Sequence, residues 1–312
     1  MKKALSILAL FLMFGNAFAQ QETQMSQYMF HNASFNPGAF GSSEGIAVNG
    51  WLREQWMGFK DDNGEKVAPE TYLISADSPL KFLHGGIGIC LLQDKLGFEK
   101  STGLKLGYAY KAELGMGTLS AGLNVGLQNR TIDFAKFKLI DEGDGLISSS
   151  LGEKTDMMID LGLGVYYSAS DRYYIGFSAT NLLQTKGNNT YYQNHRHFYL
   201  TGGYKWILPS YPAFQLEPSA LIKTDGAVFQ ADLDAVVLYN NKIWGGLGYR
   251  YQDAVKVLAG MYIKDLRIGL AYDIGASSQK RYNNGSMEVS IGYMFKLETD
   301  KLRKSYRNTR FL

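Results

Sequence analysis

Apolar residues alternate with polar or small ones at a period of two through most of this chain, and no other feature limits its fold so strongly. Across Leu119–Leu127 the odd positions are apolar and the even ones are Ser120, Gly122, Asn124 and Gly126. Ile159, Leu161, Leu163 and Val165 alternate with Asp160, Gly162 and Gly164 in the same way. Phe229 to Val237 is broken by Gln230, Asp232 and Asp234. Successive side chains of a strand point to opposite faces, so each such segment has one apolar and one polar or small face. Fourteen segments carry the pattern, at about 45–56, 69–79, 84–94, 98–111, 117–132, 157–168, 172–184, 196–208, 213–223, 227–239, 242–251, 254–263, 265–275 and 286–297. A soluble sandwich also alternates, but its strands run to about 5–6 residues. Segments of roughly 10–14 suit a tilted crossing of a bilayer.

Composition and the first residues agree. Lys2 and Lys3 precede an apolar run from Ala4 to Phe14, and Ala17-Phe18-Ala19 before Gln20 is a small-x-small cleavage site, so residues 1–19 read as an export signal. That run is too short for a membrane-spanning helix, and no later stretch is long and apolar enough. The chain has 35 Gly, 21 Tyr, 17 Phe and one cysteine, Cys90, which excludes an internal disulfide. A formal charge of +3 gives no case for nucleic-acid binding. An exported, Tyr- and Gly-rich chain of alternating segments predicts an all-β antiparallel transmembrane barrel of about 14 strands in the bacterial outer membrane. The expected boundaries are 20–43 for a periplasmic or lumenal lead, 44–297 for the barrel and 298–312 for a tail.

Connection lengths suggest an orientation. Short links (80–83, 112–116, 169–171, 209–212, 240–241, 264) interleave with longer ones (57–68, 133–156, 185–195, 276–285). Barrels of this type place short turns in the periplasm and long loops outside, which predicts both termini in the periplasm. Tyr166, Tyr167, Tyr173, Tyr174, Trp206, Tyr239, Trp244 and Tyr249 fall near strand ends and read as interfacial girdles. Ser290, Gly292, Phe295 and Leu297 stand at the spacing of an outer-membrane closing-strand signal.

Little in the chain points to catalysis, and no enzyme, metal or cofactor is expected. His195 and His197 lack the further ligands that a metal site needs nearby in sequence. Gly245-Gly246-Leu247-Gly248 lies inside a strand and not in a phosphate-binding turn. Asp232 and Asp234 read as a solvated lumen stripe, and Cys90 as a small inward filler. The inward face carries many glycines, among them Gly86, Gly88, Gly122, Gly126, Gly162, Gly164, Gly246 and Gly248. Glycine is kept in strands where a backbone approaches closely. A smooth lumen wall of this kind could receive a polypeptide, either the lead 24–43 as a plug or a partner's terminal domain.

Specific words run through the chain: Gln27-Tyr28-Met29-Phe30, Asn36-Pro37, Gly41-Ser42, Arg53 to Phe59, Asp94 to Gly97, Asn181 to Leu183, Arg196-His197, Pro218 to Lys223, Trp244 to Arg250 and Leu266 to Asp273. In this order the set resembles the PorP/SprF family of the type IX secretion and gliding system, from about Gln24 to Phe295. Two departures stand out: Phe40 comes one position later than the family's opening aromatic, and the chain continues past the closing strand. The resemblance implies a barrel that binds or anchors an exported, adhesin-like surface protein bearing a type IX sorting domain, or that links to periplasmic ring or peptidoglycan-binding components. The alternative is an outer-membrane channel or hydrophobic-solute transporter. Phe134, Phe137, Leu139, Ile140, Leu146 and Ile147 make the loop 133–156 more apolar than solvation needs and are the expected partner contacts. Arg303, Lys304, Arg307 and Arg310 are the expected periplasmic docking residues.

Overall fold

In the computed structural model the described residues are 22–61, 64–136, 152–169, 172–190, 192–276 and 284–297. The basic tail and Phe137, Leu139, Ile140, Leu146 and Ile147 lie outside them, as does the export signal. One antiparallel sheet contains β1 (Ile46–Glu54), β2 (Glu70–Leu80), β3 (Gly85–Leu96), β4 (Glu99–Leu114), β5 (Gly117–Asp133), β6 (Glu153–Ala169), β7 (Tyr173–Thr180), β8 (His197–Tyr204) and β9 (Trp206–Ile207). It continues through β10 (Phe214–Thr224), β11 (Phe229–Tyr239), β12 (Ile243–Arg250), β13 (Ala254–Ile263), β14 (Leu266–Gly275) and β15 (Ser286–Phe295). The two-residue β9 pairs with β10 just past the end of β8, so fourteen strands cross. β15 pairs with β1 from Ile46↔Phe295 to Glu54↔Met287, which closes the sheet on itself. A closed sheet leaves no unpaired edge, the condition for spanning a bilayer with strands.

The period-two pattern sets the two faces. Outward-pointing Ile87, Ile89 and Leu91 are 42–44% exposed, whereas inward Cys90 is 3% exposed. Asn240 and Asn241 both have positive φ, 50° and 53°, the geometry of a two-residue hairpin whose twist matches its strands. The aromatic reading needs correction. Tyr166, Tyr174 and Trp244 face the lumen, because register gives them the parity of the inward residues; Tyr166 and Trp244 are 7% and 2% exposed. Tyr173, Trp206, Tyr239 and Tyr249 are the exposed, outward members of that set.

Strand length is uneven. β4, β5 and β6 have 16, 17 and 17 residues. Their outward faces run past the apolar Leu104, Leu127 and Ile159 into Lys100, Thr102, Asn129, Thr131, Asp133 and Glu153. One side of the barrel thus rises above the rest at the long-loop end. Phe134 begins a short 3-10 turn at its crest.

Candidate functional site

The lumen is filled by the chain's own lead segment. Residues 22–43 form two 3-10 turns, Tyr28–Phe30 and Pro37–Ala39, and one α-helical turn, Asn32–Phe35. Local chemistry sets the second bend. The Asn36 side chain accepts the Gly38 amide at 2.9 Å, Pro37 supplies a fixed φ at the first position, and Gly41 adopts φ 64°. Tyr28, Phe35, Ala39 and Phe40 are buried. Each large side chain so buried contributes roughly 1.5–3 kcal/mol.

Asn36 to Gly41 lies on a wall from which side chains have been removed. A Cβ on Gly88 would collide with the edge of the Phe40 ring at its Cδ1, one on Gly86 with the Phe40 carbonyl, one on Gly122 with Pro37 and one on Gly164 with the Asn36 amide. The Asn36 Nδ2 donates to the Val165 carbonyl at 3.1 Å, and Ser178 Oγ to the Phe35 carbonyl at 2.8 Å. The Gly41 amide donates to Asp77 at 2.8 Å, and Lys111 donates to the Gly41 carbonyl. Of the other four glycines, Gly162, Gly246 and Gly248 make room for the wall itself, whereas a Cβ on Gly126 would meet only ordinary contacts. Gly126 faces Lys105 and Asp160, Gly162 faces Asn124, Gly246 faces Val236, and Gly248 faces the Asp234–Lys256 pair.

On the opposite wall the lead is held by charge. Glu288, fully buried, accepts four donors: the Ser26 amide at 2.6 Å, the Gln27 amide at 3.0 Å, Trp51 Nε1 at 3.1 Å and Arg53 at 2.5 Å. Arg53 also pairs with Asp273 at 2.9 Å, and Ser26 Oγ donates to the same carboxylate at 2.6 Å. Arg250 joins Asp273 at 3.0 Å to Asp232 at 2.9 Å, and Lys256 bridges Asp232 and Asp234, both at 2.8 Å. Three buried cations therefore meet four buried carboxylates, and lead-segment amides offset the surplus negative charge. Asp232 and Asp234 are correspondingly 1% and 5% exposed, so the solvated stripe read from alternation is instead a dry ion network. A charge stripped of water needs such partners, since isolated burial costs far more than pairing returns.

Aromatic contacts complete the seat. Phe30 lies 5.1 Å from Trp244 and under the Arg267 guanidinium, and Phe35 stacks on Tyr199 at 5.3 Å. Tyr28 donates to Ser219 at 3.2 Å. Residues far apart in sequence but prominent as words (Gln27 to Phe30, Asn36-Pro37, Arg53, Ser219, Trp244, Arg250, Asp273) thus converge on one interface. Glu288 was missed by sequence reading. Its one available signal was a carboxylate placed on an inward position between small residues.

The lead also fixes the two ends. Glu22 accepts from Asn181 at 2.7 Å, and its carbonyl accepts from Lys223 at 2.9 Å, both at the long-loop mouth. Phe295, opposite Ile46, ends β15 at the short-turn mouth. The two ends of the described chain therefore stand at opposite mouths, because the lead threads the lumen before β1 begins; residues 1–21 and 298–312, on which the expectation of periplasmic termini falls, lie outside the described residues. At Glu22 burial opposes the charge, but Lys105, the Tyr199 hydroxyl, Lys223 and the neighbouring His197 ring outweigh it and hold the carboxyl at about 2.

The sequence profile of the type IX secretion system membrane protein PorP/SprF matches residues 17–293. This chain belongs to the PorP/SprF family. No curated protein matches it. Among solved structures it is similar to the Ralstonia pickettii toluene transporter TbuX, at TM-score 0.52 and 12% identity over 84% of this chain and 92% of that one. The Pseudomonas putida toluene transporter TodX matches at TM-score 0.49 and 11% identity (85% and 94% covered), and Acinetobacter baumannii Omp33 at 0.47 and 7% (81% and 98%). At such identities the TbuX likeness carries the fold alone, and this PorP/SprF barrel has the architecture of outer-membrane proteins.

Proposed function

We propose that this PorP/SprF protein is a non-enzymatic, closed outer-membrane barrel that serves type IX secretion by binding or anchoring an exported surface protein, or by linking to periplasmic machinery. The observation that carries this reading is the plugged lumen: residues 22–41 occupy it with core-like packing and a buried ion network. A channel or solute transporter needs a passage, and none is left where Phe40 meets Gly88 or where Ser26 meets Glu288. Partners then meet the rims. The raised β4–β6 wall and the apolar positions Phe134, Phe137, Leu139, Ile140, Leu146 and Ile147 are the proposed contact for an exported adhesin-like protein. With short turns in the periplasm, Arg303, Lys304, Arg307 and Arg310 are the proposed docking residues for a periplasmic ring or peptidoglycan-binding component.

Two measurements on the purified protein test this together. In planar bilayers it should conduct no ions, and from native membranes it should co-purify with exported or periplasmic components of the secretion system. Steady conductance by the intact chain, or solute uptake into vesicles without any co-purifying secretion component, would favour the transporter instead.

A further inference from the structure

At the long-loop mouth, where the lead segment begins, a cavity of about 100 Å³ is lined by Glu22, Lys105, Arg130, Asp160, Asn181 and His197. Two of its lining atoms are buried acceptors without a hydrogen-bond partner among the described residues. Asp160 is 6% exposed; its Oδ2 accepts the Asn181 amide at 2.8 Å, while Oδ1 is unbonded. His197 is 5% exposed, with Nδ1 2.9 Å from the His195 carbonyl. A carbonyl only accepts, so Nδ1 carries the hydrogen, and in the neutral ring Nε2 is a bare acceptor. Nε2 too is unbonded.

Three cations lie nearby, and Lys223 is held by the Glu22 carbonyl at 2.9 Å. Arg130 is engaged by Glu99 at 2.5 Å and lies over the Tyr192 ring. Lys105 faces both Glu22 and Asp160 and is the internal competitor for the site. Of the remaining carboxylates, Glu22 is bonded by Tyr199 and Asn181, and Asp94 by the Thr71 hydroxyl at 2.6 Å.

We propose that this cavity binds a primary ammonium group, with Asp160 Oδ1 and His197 Nε2 as its acceptors. An ammonium offers three donors and no acceptor, and its charge balances a buried carboxylate. Two sources supply that chemistry. One is a free amine reaching the mouth from outside. The other is the chain's own α-ammonium, since cleavage after Ala19 would start the mature protein at Gln20, two residues before Glu22. Two residues reach about 7 Å, and Asn181 bonds both Glu22, at 2.7 Å, and Asp160, at 2.8 Å.

The test uses the full-length processed protein in detergent, an amine-acetylating reagent read by mass spectrometry, and methylammonium as the free-amine probe. An α-ammonium in the site acetylates at least about tenfold more slowly than in the unfolded chain, because ion pairing removes the reactive free base. Asp160→Asn then restores the fast rate while exposed Lys264 labels as before. His197→Phe, which keeps the carboxylate, gives an intermediate rate and guards against misfolding of the first variant. A freely labelled α-amine together with saturable methylammonium binding that Asp160→Asn abolishes assigns the site to external amines. The proposal is overturned if neither readout depends on Asp160, or if Lys105 is the amine that Asp160→Asn releases.

Discussion

Replacing Glu288 with Gln keeps its shape and removes its charge, and the structure says which contacts fail. The carboxylate accepts the Ser26 and Gln27 amides, Trp51 Nε1 and Arg53, two donors on each oxygen. A Gln amide can keep two of them on its oxygen, but its NH₂ then faces two other donors. Arg53 retains only Asp273 as a carboxylate partner. A hydrogen bond to a charged group is worth about 1.5–3 kcal/mol net, and removing one partner of a buried pair costs about 3–5 kcal/mol. We take about 3–5 kcal/mol as the loss in anchoring of the lead, with the sheet hydrogen bonds untouched. Local opening of residues 24–30 should then be favoured by roughly 10²–10⁴-fold, since 1.4 kcal/mol is a factor of ten. Hydrogen exchange by mass spectrometry reads this directly: peptides covering 24–30 exchange faster by that factor, and those from β4–β6 do not. The reasoning fails if the folded variant protects the Ser26 and Gln27 amides as well as the parent does.

Two further outcomes follow from the same seat. Gly88→Val places a side chain where the Phe40 ring lies, so residues 36–41 should lose their seat at a cost of about 1–3 kcal/mol or more, read as new protease cleavage there in an intact barrel. The Glu22 carboxyl, held at about 2 in the folded protein against an ordinary value of 4.5, contributes stability that is fully present above pH 4.5 and is lost as pH falls through 2. Exchange at residues 22–24 should therefore quicken, beyond its intrinsic pH dependence, between those values; Glu22→Gln removes that excess, and an unchanged profile in the variant would contradict the attribution.

Much of the fold was legible because alternation is a local property. Which residues of Leu119–Leu127 share a face depends only on parity, and length then separated a bilayer-crossing barrel from a sandwich. The inward glycines likewise announced a close backbone approach. What alternation cannot say is whether the space inside is wet. Asp232 and Asp234 look the same in sequence whether water or Lys256 faces them, and Trp244 at a strand end looks like a girdle until its parity is fixed by pairing with Gly260 and Leu238.

The sequence by itself thus determined the closed antiparallel wall, the count of fourteen crossing strands, the faces of most of them and the family, because each rests on periodicity or on short words. Only the tertiary structure decided that the lead occupies the lumen, that Glu288 anchors it, and that the two ends of the described chain stand at opposite mouths. Those facts depend on contacts between residues as far apart as Ser26 and Glu288, 262 positions along the chain. Such pairings are set by where barrel closure brings the strands, and no local pattern records them.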